Sequence, residues 1–73
     1  MKVLVIHDGT QIQVWRVGEL VESAELHIKN GYRELLPAWD AGELTACEVE
    51  VPAGDEYRQY LYEVVDNEVR RKA

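Results

Sequence analysis

The chain has 73 residues and a formal net charge of −6, from 14 acidic and 8 basic side chains, and 47% of its residues are hydrophobic. This apolar content is high enough for a folded core, which excludes a disordered tail, and the length leaves room for one domain spanning residues 1–73. A single cysteine, Cys47, excludes an intramolecular disulfide, and with only two histidines we expect no structural metal site and no cofactor.

The distribution of apolar and charged residues bears on location and partners. No hydrophobic run reaches the length of a signal-peptide core or a membrane span, so we expect a cytoplasmic protein that does not enter a membrane. Positions 34 to 56 contain seven acids and no Lys or Arg, and the only dense basic cluster is at positions 70 to 72. Such a chain repels nucleic acid and attracts basic protein surfaces, although solubility alone is the simpler explanation.

Residues 2–17 predict a β-hairpin, because Asp8-Gly9 is the dipeptide that a two-residue type I′ turn requires. In that register Val5 faces Ile12 and Val3 faces Val14. The hairpin then presents one apolar face, which we expect to lie beneath the helices. The four side chains of this face are Val3, Val5, Ile12 and Val14.

The strand followed by Asp8-Gly9-Thr10 resembles the nucleophile loop of the haloacid-dehalogenase-type phosphatases. That loop needs a carboxylate two residues before the Asp, and here the position is Ile6. It also needs a large parallel sheet, for which the chain is too short. The stretch therefore indicates a turn and not a site of phosphoryl transfer.

A helix is predicted from Glu19 to Asn30, with Gly18 as its N-cap and Asn30-Gly31 as a left-handed stop. Its expected buried stripe contains Leu20, Val21, Ala24, His27 and Ile28, and Leu26 falls outside it. Glu25 and Lys29 have the spacing of a helical ion pair. Residues 31–43 are expected to form a loop, because Pro37 ends any helix begun at Arg33 and pushes Leu36 towards extended backbone.

The second half predicts a strand at Leu44–Val51 and a helix from Asp55 to about Arg71. Alternation places Thr45, Cys47, Val49 and Val51 inward and Glu48 and Glu50 on a solvated outer face. Helical projection gives a core stripe of Tyr57, Tyr60, Leu61, Val64 and Val65. The expected fold is α+β, in the order ββαβα: a small antiparallel sheet, made of the N-terminal hairpin and one later strand, with two helices packed on one face.

Two groups of side chains are candidates for contact with a partner protein. The first is a group of apolar side chains with acidic neighbours in the 31–43 loop. Alternatively, its apolar members fold back over the sheet as a lid. The second is aromatic and apolar, and its alternative role is to complete a small core. The first group is Glu34, Leu35, Leu36, Trp39, Asp40 and Glu43, and the second is Trp15, Tyr62 and Val69.

The expected function is that of a small acidic, non-enzymatic protein–protein interaction module, an inhibitor or regulator that occludes a basic, partly apolar partner surface. One alternative is a homodimeric structural or subunit protein. A second is nucleic-acid binding through Arg58 and the basic cluster Arg70, Arg71 and Lys72, against which the overall acidity argues. A small enzyme using His7, Asp8 and His27 ranks last, since no motif identifies a reaction.

Overall fold

The computed structural model describes residues 1–73 and contains two short helices and five strands. Three strands form an antiparallel sheet in the order β2-β1-β3, and the last two form a separate hairpin. The strands are β1 (Lys2–His7), β2 (Ile12–Val17), β3 (Thr45–Glu50), β4 (Tyr62–Val65) and β5 (Glu68–Arg71). The helices are α1 (Ala24–Gly31) and α2 (Leu36–Asp40). Neither helix is long and apolar enough to cross a membrane.

The N-terminal hairpin is confirmed, but four residues, Asp8 to Gln11, separate its paired strands instead of two. The Asp8 carboxylate accepts hydrogen bonds from the backbone N–H groups of Thr10 and Gln11, at 2.9 and 2.7 Å. It also accepts one from the Thr10 hydroxyl at 2.8 Å. These bonds close a wider loop than a type I′ turn, in which both central residues have positive φ; here Gly9 does, at +92°, and Asp8 does not.

The longer loop changes the register of β1 against β2. Ile6 faces Val14 and His7 faces Ile12, and a β-bulge between these two pairs absorbs one residue. The prediction that Val14 shares a face with Val3 and Val5 is therefore wrong, because the side-chain period of a strand is two and the bulge moves Val14 to the other face.

Strand β1 is buried on both faces, since Val3, Leu4, Val5 and Ile6 are 0% exposed. Leu4 and Ile6 pack in a cluster with Val14, Ala24 and Ile28, beneath the helices. Val3 and Val5 pack in a second cluster with Val51 and Tyr62, beneath the C-terminal segment. The helices thus cover the face opposite to the one predicted.

The predicted helix at 19–30 forms as a 3-10 turn, Val21–Ser23, followed directly by α1. Ala24 and Ile28 are buried as predicted, and Leu26, outside the stripe, is 59% exposed. Leu20 is 52% exposed because the helical turns begin only after it. Neither Asn30 nor Gly31 adopts the left-handed conformation predicted for the helix end.

Residues 31–43 are more ordered than predicted, with a 3-10 turn at Arg33–Leu35 that leads into α2. Leu36 is helical, with φ −56° and ψ −44°, and not extended. Pro37 lies in the first turn of α2, where a missing N–H removes no helical hydrogen bond. The proline therefore starts a helix here instead of ending one.

Strand β3 is confirmed, with the predicted alternation of its side chains. Cys47, Val49 and Val51 face the second cluster, and Leu44 and Ala46 face the first. The face predicted to be solvated is instead the one that the helices cover. Glu48 is accommodated there because its carboxylate accepts a hydrogen bond from the Val21 N–H at 3.0 Å, at the start of the helical segment.

The helix predicted from Asp55 to Arg71 does not form. A 3-10 turn, Gln59–Leu61, precedes the β4–β5 hairpin, in which Val65 pairs with Glu68 around Asp66 and Asn67. These two residues have φ of 53° and 65°, the backbone of a type I′ turn, which Asp and Asn tolerate better than other non-glycine residues. The β-branched residues on both sides favour strands, and this local preference outweighs the helical spacing.

The architecture is therefore α+β, with a small antiparallel sheet and two helices on one of its faces. The order of elements is ββααβββ and not ββαβα. The helices come from residues 24–40, and the C-terminal third supplies a hairpin that covers the other face of the sheet.

The C-terminal turn can be tested by the substitution Asn67→Gly. Glycine adopts positive φ without the steric cost that asparagine incurs, so we expect the free energy of unfolding to rise by about 0.5 kcal/mol in urea denaturation. The matched control is Asn30→Gly, the same change at an exposed position of α1, which should lower it by about 0.3 kcal/mol. A decrease in both variants would contradict the hairpin.

Candidate interaction surfaces

The first candidate surface, here called the acidic surface, is formed by α2 and the segments on either side of it. Leu35, Leu36 and Trp39 are half-buried and pack against the cluster of Leu4, Ile6 and Ile28. The apolar members therefore act partly as the lid considered above. The acidic members, Glu34, Asp40 and Glu43, are exposed.

Trp39 is fixed in place by α1. Its indole N–H donates a hydrogen bond to the Glu25 carboxylate at 3.1 Å, and Lys29 donates to the same carboxylate at 3.2 Å. These two bonds, of which the one from Trp39 has the larger effect, lower the pKa of Glu25. The indole ring is therefore held along the helix pair, with its polar group already satisfied.

The three acids of the acidic surface differ from most other acids of the chain. The carboxylates of Glu34, Asp40 and Glu43 form no ion pair and no hydrogen bond. By contrast, Glu48 lies 3.6 Å from the Lys2 ammonium group, and Glu50 binds the N-terminal amine at 2.9 Å. The acidic surface therefore presents unpaired negative charge to solvent.

The other three predicted contact residues lie on the opposite face of the sheet, against the second cluster. The rings of Trp15 and Tyr62 pack with centroids 5.2 Å apart, and Tyr62 is only 7% exposed. The Trp15 indole donates to the Glu56 carbonyl at 2.7 Å, and the Tyr62 hydroxyl donates to the Asp55 carboxylate at 2.8 Å. Trp15, Tyr62 and Val69 thus attach the C-terminal segment to the sheet, and the nine predicted residues form two separate groups.

A second surface, here called the tyrosine surface, was missed because its residues were assigned to a helical core stripe. Tyr57 and Tyr60 are 80% and 67% exposed. They border a shallow depression that also includes Ile12 and Tyr62. The signal that could have revealed this surface is local: Pro52 and Gly54 favour a loop at the point where the helix was predicted to begin.

The residues considered for acid–base chemistry do not converge. His7 lies on the face of β1 that the C-terminal segment covers, and its Nδ1 accepts a hydrogen bond from the Gly9 N–H at 3.0 Å. His27 lies on α1, on the opposite side of the sheet, with its Nε2 at 3.2 Å from a Glu19 carboxylate oxygen. Burial raises the pKa of the Cys47 thiol.

The basic cluster at the C-terminus is divided by strand geometry. Arg70 and Arg71 are successive residues of β5, so their side chains point to opposite faces of the hairpin. The Arg71 guanidinium binds the Asp55 carboxylate at 3.1 Å, and this contact, after that of the Tyr62 hydroxyl, lowers the pKa of Asp55. These two arginines therefore do not form one continuous basic patch.

Comparisons with protein-family models, with curated proteins and with solved structures find no match for this chain.

The turn at Asp8 yields a prediction about pH. The hydrogen bonds from Gln11 and Thr10 lower the Asp8 pKa from 3.8 to about 2. The Asp8 pKa is lower in the folded state than the ordinary value of 3.8. The stabilisation from the Asp8 carboxylate is therefore fully present above pH 3.8 and is lost as the pH falls through about 2. NMR titration of the Asp8 carboxyl should give about 2 for the wild type and a higher value for Thr10→Ala, which lacks the hydroxyl donor.

The matched control is Thr45→Ala, which removes the other threonine hydroxyl of the chain and should leave the Asp8 titration unchanged. A wild-type Asp8 pKa near 3.8, or equal effects of both substitutions, would show that the carboxylate does not hold the turn.

Proposed function

We propose that the protein is a small acidic, non-enzymatic protein–protein interaction module, an inhibitor or regulator that occludes a basic, partly apolar surface of a partner protein. The observation that carries the proposal is the unpaired charge of Glu34, Asp40 and Glu43. Carboxylates without internal partners need not break an ion pair before they contact Lys or Arg on another protein.

The half-buried apolar residues beside these acids complete the surface. Leu35, Leu36 and Trp39 are anchored to the core yet retain partial exposure. An interface that combines a rigid apolar centre with a charged rim loses little conformational entropy on binding. This combination favours a partner with an apolar patch edged by basic side chains.

The proposal is tested by affinity capture from a lysate of the source organism, with a variant that neutralises the acidic surface. In Glu34→Gln/Asp40→Asn/Glu43→Gln, three exposed charge contacts of about 0.5 kcal/mol each are lost, so capture of a basic protein should weaken about tenfold. The matched control, Glu22→Gln/Glu63→Gln/Asp66→Asn, changes the net charge equally and should retain capture. Rising salt should release the partner from the wild type.

Equal loss of capture in both triple variants would show that net charge and not the acidic surface attracts the partner. Capture that is insensitive to salt, or a captured protein without a basic surface, would contradict the proposed class of partner.

The tyrosine surface favours a second candidate function, that of a homodimeric structural or subunit protein. Tyr57 and Tyr60 expose most of their rings, and tyrosine is enriched at interfaces because it combines a large apolar ring with a polar group. Light scattering over a range of concentrations distinguishes the candidates: a dimer of the wild type that becomes a monomer in Tyr57→Ser/Tyr60→Ser supports the second, and a monomeric wild type removes it.

A further inference from the structure

Strand β3 has one edge without a neighbouring strand, since it pairs with β1 alone. At its end the Val51 N–H donates to the Met1 carbonyl at 2.8 Å, and the Met1 amine donates to the Val51 carbonyl at 2.8 Å. Antiparallel pairs alternate between bonded and non-bonded, so the backbone groups of Cys47 and Val49 also point towards β1. Those of the alternate residues, Ala46, Glu48 and Glu50, point outward, and no backbone or side-chain group of the chain bonds them.

This edge opens into a groove of about 410 Å³ between β3 and the tip of the β4–β5 hairpin. Cys47, Val49 and Val69 provide apolar side chains along the groove, and Glu68 also lines it. The side chains of Glu48 and Glu50 project to the other face of β3, the face that the helices cover. No Lys or Arg is among the lining residues. The β3 edge therefore combines unpaired backbone groups with an apolar groove on one face and the carboxylates of Glu48 and Glu50 on the other.

The opposite edge of the sheet is less regular. Strand β2 contains the β-bulge opposite Ile6 and His7. The bulge interrupts the regular spacing of backbone hydrogen-bonding groups that an added strand would need. Strand β3 pairs with β1 over six consecutive residue pairs without interruption. Of the two open edges, β3 thus offers the regular template.

We propose that the β3 edge binds an extended basic segment of a partner protein, which adds to the sheet as a further antiparallel strand. The inference deepens the proposed function, since it rests on the same class of basic partner, but it uses a surface separate from the acidic surface. A second copy of this chain fits less well, because pairing β3 with itself places the carboxylates of Glu48 and Glu50 in the same row as those of the copy.

The geometry also specifies which residues of the added strand carry the charge. In an antiparallel bonded pair, the two residues that face each other project their side chains to the same face. The residues opposite Glu48 and Glu50 therefore direct their backbone N–H groups to this edge and their side chains to the face that carries the two carboxylates. Lysine or arginine at these alternate positions would share the Glu48 and Glu50 carboxylates with Lys2 and the N-terminal amine, and would make the backbone hydrogen bonds as well.

The test uses a capped synthetic peptide that alternates lysine and valine, titrated into the ¹⁵N-labelled protein. We expect the largest amide shifts, and slower hydrogen exchange, at Ala46, Glu48 and Glu50. Replacing the lysines by glutamates should weaken binding at least about tenfold, because two favourable charge pairs become repulsive.

Two N-methylated peptides separate strand addition from simple charge attraction. Methylation of the lysine amides removes the donors that face β3 and should abolish the exchange protection, whereas methylation of the valine amides leaves those donors intact and should preserve it. Binding that is equal for both peptides, or shifts centred on the acidic surface instead of β3, would overturn the inference.

The outcome is independent of the capture experiment. Protection of β3 by the peptide supports strand addition even if the acidic-surface variant captures its partner normally. Conversely, a partner that is lost with the acidic surface, while the peptide leaves β3 unprotected, supports the proposed function and refutes strand addition.

Discussion

Burial of β1 on both faces is the constraint on which the rest of this structure depends. Four successive aliphatic residues, Val3 to Ile6, are fully removed from solvent, and each contributes about 1.5–3 kcal/mol of transfer free energy. A strand with two apolar faces needs a cover on each side. The helices supply one cover and the C-terminal hairpin with its preceding loop supplies the other, so a chain of 73 residues has enough material for one central strand and its two layers.

This arrangement determines what each exterior region can do. The helical layer is held by Leu35, Leu36 and Trp39, which turn their exposed acidic neighbours towards solvent on one side. The hairpin layer is held by the Trp15–Tyr62 pair, which leaves the tyrosine surface on the other side. The β3 edge lies between the two layers and has no neighbouring strand. The three regions are thus separate, and each admits a different contact.

Much of the N-terminal half could be predicted because its signals are local. Asp8-Gly9 does reverse the chain, and the spacing of Ala24 and Ile28 does mark the buried side of α1. The predicted register of β1 against β2 was wrong because the hydrogen bonds of the Asp8 side chain widen the turn, and the dipeptide alone does not reveal these bonds. Pro37 was misread because a proline that ends one helix can equally begin the next.

The prediction of a helix in the C-terminal third was wrong for a different reason. Tyr57, Tyr60 and Val64 have helical spacing, but the same residues fit a loop and a strand, and Asp66-Asn67 followed by alternating residues is a hairpin signal. The same error affected the candidate surfaces. The sequence predicted the acids of the acidic surface, but it placed Tyr62 outside the core and the exposed residues Tyr57 and Tyr60 inside it. Which face of a strand is covered is a property of the whole fold, and local pattern does not encode it.

The central claim is tested most directly by native-state amide hydrogen exchange along the three-stranded sheet. Every β1 amide from Val3 to His7 faces a paired strand, so these amides should be the most protected and should exchange only on global unfolding. Along β3, Cys47 and Val49 should be protected while Ala46, Glu48 and Glu50 exchange rapidly. Uniform protection along β3, or exchange of β1 as fast as that of the β4–β5 hairpin, would contradict a central strand with an open neighbour.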